Sequence, residues 1–205
     1  MAKLNSPYIV RLFGLCWDEN KYAMVMELMP NASLHELLHS GKKLPCDIRY
    51  SIARDIAYGL RFLHDRNVLH RDLKSLNVLL DGNLRAKLSD FGLSKVKAQS
   101  YITTNSWGGT VAWMAPELFG LKPKYSPTSD VYAYGMTAWE LASCEQPYKG
   151  IIINDIIISE VKQGEREEMP ADCPEEFAKL IDACWSQDPG KRPTMDVVIT
   201  GLSHC

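Results

Sequence analysis

A mixed α+β fold is predicted by three features of the chain. Runs of β type, Ile9 to Leu15 and Tyr22 to Leu28, are confined to its beginning. Stretches with helical periodicity dominate after Cys46. Between Val68 and Ser89 there are only short apolar runs, folded about an Asp81-Gly82-Asn83 turn signal. With 205 residues, 46% of them hydrophobic, the chain suits one domain with a sizeable core.

Ile9 to Leu15 is apolar and partly β-branched, which reads as a strand. Trp17-Asp18-Glu19-Asn20-Lys21 is turn-like, and Tyr22 to Leu28 returns as a second strand, so a hairpin is expected. After Pro30-Asn31, Ser33 is positioned to cap a short helix, with Glu36 completing a capping box. Cys46 to Arg66 reads as a long helix. Ile48, Ile52, Ile56, Leu60 and Leu63 recur at steps of four, four, four and three, one face of a helical period. Asn67 ends it. Val68-Leu69 and Val78-Leu79-Leu80 flank a polar loop, and Ala86 to Ser89 is the strand returning after the turn. Lys95 to Gly109 has no apolar period and is longer than loops usually are without a purpose. Helices are then expected at Thr128 to Ser143, Ile153 to Lys162, Glu175 to Trp185 and Thr194 to Leu202. In the third of these, Phe177, Leu180, Ile181 and Cys184 share a face.

Composition excludes several function classes. Twenty-three Lys and Arg against twenty-five Asp and Glu give a net charge of -2, which favours neither a nucleic-acid footprint nor a polybasic membrane patch. Six Cys without a C-x-x-C pair argue against a disulfide framework or structural zinc, and the chain reads as intracellular and reduced, with cytoplasm the default where no organelle signal is read. The most apolar stretch, Ile151 to Ile158, is broken by Asn154-Asp155 and far too short to span a membrane. No signal peptide fits the start. The Glu165-Arg166-Glu167-Glu168 run reads as a solvated face.

Chemistry concentrates in one place. His70-Arg71-Asp72-Leu73-Lys74-Ser75-Leu76-Asn77 lies between short apolar runs, and Asp90-Phe91-Gly92 begins thirteen residues beyond Asn77. Singly these pieces are a core histidine, a salt bridge and a turn. In this order and at these gaps, flanking a hairpin, they are specific. The segment resembles the catalytic and metal-binding loops of eukaryotic-type protein kinases. Ala115-Pro116-Glu117 closes the intervening segment as that family does.

The resemblance runs from Leu4 to about Leu202 and implies a protein-kinase-like α+β fold. Residues 1–29 would be a remnant of the N-terminal β lobe and hinge, and 30–205 a nearly complete helical C-terminal lobe. It implies ATP and Mg2+ as cofactors and a protein substrate. Asp72 would accept the proton of the acceptor hydroxyl, Lys74 would meet the γ-phosphate, and Asn77 and Asp90 would hold magnesium. Gly92 would permit the turn after Phe91. His70, Phe91 and Leu12 would belong to an apolar spine between lobes. Leu79 would lie beneath adenine, Met26 would be the gatekeeper, and Glu27 and Met29 would read adenine through their backbones. Arg192 would pair with Glu117, and Asp130 would begin the long helix of the helical lobe. Lys74 with Gly109-Thr110, and Trp113-Met114 before Ala115, resemble serine/threonine kinases of the tyrosine-kinase-like group, with Thr110 bonding near Asp72 and Lys74. Dual or tyrosine specificity is the alternative. Tyr101, Thr103, Thr104 and Ser106 are candidate phosphorylation sites, and Arg71 is placed to receive such a phosphate.

The family's Gly-rich loop, strand lysine and paired glutamate do not occur in the chain. Lys3 and Lys21 do not stand at the lysine's position. Three expectations follow: a fragment of a longer kinase, a shortened kinase-like scaffold or binding module, or a chain completed by a partner. Asp72, Asn77 and Asp90 are all present, which suggests excision and not decay. A two-stranded remnant would expose apolar surface, favouring a homodimer or an upstream segment that covers it.

Overall fold

The computed structural model describes residues 4–18, 21–41, 44–91 and 110–203. Strand β1 (Leu12–Asp18) pairs antiparallel with β2 (Lys21–Met26), Leu12 opposite Met26 and Asp18 opposite Lys21. Helices α1 (Leu34–Leu38) and α2 (Cys46–His64) follow. Strands β3 (Val78–Leu80) and β4 (Ala86–Leu88) make a second small hairpin. The rest is helical: α3 (Pro127–Ser143), α4 (Asn154–Gln163), α5 (Glu175–Cys184) and α6 (Met195–Gly201). This is the α+β layout that the sequence pattern predicts.

The first strand differs from its sequence reading. It starts three residues later than expected and runs on through Trp17 and Asp18, which read as turn. The reason is competition for Ile9 and Val10. The Val10 amide donates to the Leu88 carbonyl and the Leu88 amide to the Tyr8 carbonyl, both at 2.9 Å. Ile9 and Val10 are thereby buried beside β4 and cannot belong to the hairpin. Lys21, read as a turn residue, is the first residue of β2.

Local chemistry sets the helix ends. The Ser33 Oγ accepts the Glu36 amide while the Glu36 carboxylate accepts the Ser33 amide, a full capping box. Helix α2 stops in a Schellman arrangement. Asn67 adopts φ 55°, its amide donates to the His64 carbonyl at 2.9 Å, and the Val68 amide donates to the Leu63 carbonyl at 3.0 Å.

Helix α3 is the axis of the core. Every residue from Ser129 to Leu141 is buried, with α2 on one side and α5 on another. The Glu165-Arg166-Glu167-Glu168 run is not merely solvated. Arg166 donates to the carbonyls of Val161, Glu165 and Trp185, the Glu167 carboxylate accepts the Tyr148 amide, and the Glu168 carbonyl accepts the Trp139 indole. Among the described residues, no helix is long and apolar enough to cross a membrane.

Gly59 lets α2 approach β4. A Cβ there would lie 2.8 Å from Leu88 Cδ1 and 3.0 Å from the Tyr8 carbonyl oxygen. We expect Gly59→Ala to destabilise the protein by about 1–2 kcal/mol despite the ~1 kcal/mol that alanine contributes to a helix. Urea unfolding checks this, and an unchanged or raised midpoint would contradict it.

Candidate functional site

The segment from His70 to Asn77 is held by one carboxylate. Asp130, in the first turn of α3, is buried. Its Oδ1 accepts the Arg71 amide at 2.9 Å, and its Oδ2 accepts the His70 amide at 2.9 Å. The same Oδ2 lies 2.9 Å from His64 Nε2 at the end of α2. Arg71 adopts φ 69°, a left-handed conformation that costs a non-glycine residue roughly 1–3 kcal/mol. The paired bonds to its neighbourhood hold it there. The Arg71 guanidinium lies 5.6 Å from the Tyr125 ring centroid.

Beyond Arg71 the polar side chains converge. Asn77 Nδ2 donates to the Asp72 carbonyl at 2.6 Å and lies 3.2 Å from Asp72 Oδ2. Asn77 ends a 3-10 turn, Ser75–Asn77, which aims its side chain back at Asp72. Lys74 Nζ donates to Thr110 Oγ1 at 2.7 Å and lies 3.7 Å from Asp72 Oδ1. The Asn77 carbonyl accepts both the amide and the hydroxyl of Ser89, at 2.9 and 3.0 Å. Asp90 is thus the next residue after one bonded to Asn77, and it too is left-handed, at φ 57°.

His70 is fully enclosed. Burial pushes its imidazole below the ordinary histidine value, and the nearby carboxylates of Asp130, Asp72 and Asp90 oppose that without overcoming it. Its Nδ1 accepts the Asp72 amide at 3.4 Å, so the neutral ring also steadies the backbone at Asp72.

A cleft beside Asp90 is lined by Leu4, Val10, Leu12, Met24, Met26, Ser89 and Phe91. Leu12 and Phe91 therefore meet the same space, and Met26 faces it while remaining partly exposed. Leu79 lies outside this lining. It sits mid-strand in β3, bridged to Ser33. Met29 is buried, and among the described residues its amide and the Glu27 carbonyl have no backbone partner. The Glu27 carboxylate is instead occupied by Lys87 Nζ and the Arg11 amide. Gly92, Tyr101, Thr103, Thr104 and Ser106 lie outside the described residues.

Two further anchors flank the site. Arg192 forks onto Glu117, at 2.7 and 2.9 Å, while also donating to the Thr128 and Ser186 carbonyls. Its guanidinium lies over the Tyr132 ring. Sequence reasoning missed the second. Glu140 of α3 is fully buried, accepting Ser75 Oγ at 2.7 Å and the Trp113 indole at 3.0 Å. It joins the Asn77 turn to the segment before Ala115, yet a lone glutamate in an apolar helix has no motif that announces it.

The loop from Asp72 to Asn77 brings together a carboxylate, a cationic amine and an amide, and the Asp90 carboxylate follows Ser89, which is bonded to Asn77. Such a set can orient a hydroxyl, neutralise phosphate charge and hold a divalent cation. The sequence profile described as "Protein tyrosine and serine/threonine kinase" matches residues 1–202. A Dictyostelium discoideum protein named as a probable serine/threonine-protein kinase is 38% identical over all of this chain, which covers 22% of that relative. The serine/threonine-protein kinase CTR1 of Arabidopsis thaliana is 36% identical over 97% of the chain, covering 25% of its own length. The dual specificity protein kinase shkC of Dictyostelium discoideum is 36% identical over all of the chain, 41% of its length. The chain thus spans less than half of each of these relatives.

Because native His70 resists the proton that unfolded His70 takes up, stability is expected to fall as pH drops below about 6.5. Above that value both states are neutral at this position and the contribution vanishes. His70→Phe should flatten the acid-side fall in urea midpoint relative to the native protein. An identical fall in both would contradict the assignment.

Proposed function

The chain belongs to the protein tyrosine and serine/threonine kinase family, and we propose that it carries the catalytic lobe of an ATP-dependent kinase acting on serine or threonine hydroxyls of proteins. The observation that carries this reading is the Asp72–Asn77–Lys74–Thr110 bonding, with Asp90 one residue from the Ser89 bonds to Asn77. In this reading residues 1–29 belong to the small lobe and hinge, and 30–205 to the large lobe.

Asp72 orients the acceptor hydroxyl and takes its proton. Lys74, already turned towards Asp72, stabilises charge on the transferred group. The residues fit a magnesium nucleotide on chemical grounds. Both Asn77 Nδ2 contacts run to Asp72, which leaves the amide oxygen as a hard donor, and the Asp90 carboxylate is a second one in this reading. Bound Mg-ATP supplies the γ-phosphoryl group and the cation charge that screens it. The open Met29 amide and Glu27 carbonyl suit the edge of an adenine ring and Met26 the cleft itself, while Leu79, outside the cleft lining, keeps its place beneath the ring only by the family resemblance. Phosphate on the segment containing Tyr101, Thr103, Thr104 and Ser106 would meet Arg71. The Lys74–Thr110 bond and the names of the relatives favour serine and threonine.

One exposed face of the hairpin supports a partner. Phe13, Leu15 and Trp17 alternate along β1, so they share one side, and they are 60%, 61% and 77% exposed. We read this face as covered by an upstream segment or by a second copy of the chain. Slow turnover is expected of the 205-residue chain alone, since it holds no Gly-rich loop or strand lysine.

Calorimetric titration with Mg-ATP tests the reading. The chain should bind it, and Asp90→Asn should weaken binding at least about tenfold, while Asp72→Asn leaves binding intact and lowers phosphotransfer by about 10²–10⁴-fold. Equal binding by the native protein and the Asp90 variant would overturn it. Phosphotyrosine in place of phosphoserine or phosphothreonine on a mixed substrate would overturn the specificity. Light scattering should find dimers or larger species of the chain that Trp17→Ser reduces. A stable monomer would exclude the second copy as the cover.

A further inference from the structure

Glu140 presents an electrostatic problem that the phosphotransfer site does not use. Its side chain is 0% exposed, and its two closest donors, the Ser75 hydroxyl and the Trp113 indole, are neutral. Among the described residues no Lys or Arg pairs with it. Two imidazoles do approach it. His39 Nε2 lies 3.5 Å and His35 Nδ1 3.8 Å from the same oxygen, Oε1. His35 lies on α1 and His39 is its C-cap residue four positions on, and their ring centroids are 4.4 Å apart. All three ligand atoms lie within 4.8 Å of one another.

We propose that His35, His39 and Glu140 form a binding site for a divalent transition metal of the zinc class, bridging α1 to α3. A tetrahedral ion with bonds of ~2.1 Å separates its ligand atoms by roughly 3.4 Å. The observed spacings need only small side-chain rotations to reach that. Two imidazoles and a carboxylate select zinc, cobalt or nickel over magnesium, which prefers an all-oxygen shell. The site is therefore chemically distinct from the Asn77–Asp90 pair. The carboxylate is already oriented before any ion arrives, by the Trp113 indole on Oε2 and the Ser75 hydroxyl on Oε1, the oxygen that the imidazoles face. Access is open, because the two imidazole side chains keep 27% and 25% of their surface exposed. A fourth position is left for water. The consequence is mechanical. An ion here ties α1 to the carboxylate that also holds Ser75, before Asn77, and Trp113, before Ala115.

The experiment uses the full chain, stripped with chelator and free of nucleotide, titrated with Co2+ and with Zn2+. One equivalent of Co2+ should bind with the visible d–d bands of a four-coordinate nitrogen and oxygen site. Zn2+ should displace it and raise the melting temperature. His39→Gln and His35→Gln should each weaken Zn2+ binding by at least about tenfold, and Asp90→Asn should leave it unchanged. No bound cobalt, a thiolate-to-cobalt charge-transfer band that moves the ion onto cysteine, or equal zinc affinity in the histidine variants would each overturn the proposal.

Discussion

Asp130 is the contact on which the site depends. One carboxylate accepts the amides of His70 and Arg71 on separate oxygens, and it also meets His64 at the end of α2. The result is a polar junction between α2, α3 and the loop that carries Asp72. Such a junction is worth more buried than exposed, because a low-dielectric setting strengthens a satisfied hydrogen bond and penalises an orphaned one. The left-handed backbone at Arg71 is stable only while both oxygens accept. Asp72 then reaches Asn77 and Lys74 from the backbone so fixed.

The same helix takes part in the other two supports. Glu140 lies on α3 and steadies the turn before Asn77 and the segment holding Trp113. Arg192 reaches back to the α3 start at Thr128 and forks onto Glu117. A buried guanidinium with a bidentate partner and two carbonyls is costly to break, by about 3–5 kcal/mol when one partner is removed. The central helix thus acts as a post carrying three polar arms, each fixing a different piece of the proposed phosphotransfer cleft. It is buried on all sides from Ser129 to Leu141, so apolar patterning alone could not assign its faces.

Much of this was legible in the residues. The α2 helix was readable because only one of its faces is apolar, and its end because Asn67 tolerates the left-handed turn. The capping box at Ser33 and Glu36 involves neighbours in sequence, so spacing alone reveals it. Asp72, Asn77 and Asp90 were legible as a set because their order and gaps are restrictive. Contacts between distant segments were not. Ile9 and Val10 looked like hairpin residues, since nothing local shows that Leu88 competes for them. Glu140 looked like one more helical residue, although its partners lie 65 and 27 positions away. Arg166 and Glu167 looked solvated because the Trp185 carbonyl and the Tyr148 amide that they meet each lie 19 positions away.

The central claim is that Asp130 holds the His70–Arg71 backbone and, through it, Asp72. Amide hydrogen exchange in Asp130→Asn measures this most directly, because asparagine has one accepting oxygen where two are needed. Exchange at His70 and Arg71 should rise well above that of the native protein, with the amides of the α3 interior still protected. Unchanged protection at both residues in a folded variant would contradict the account.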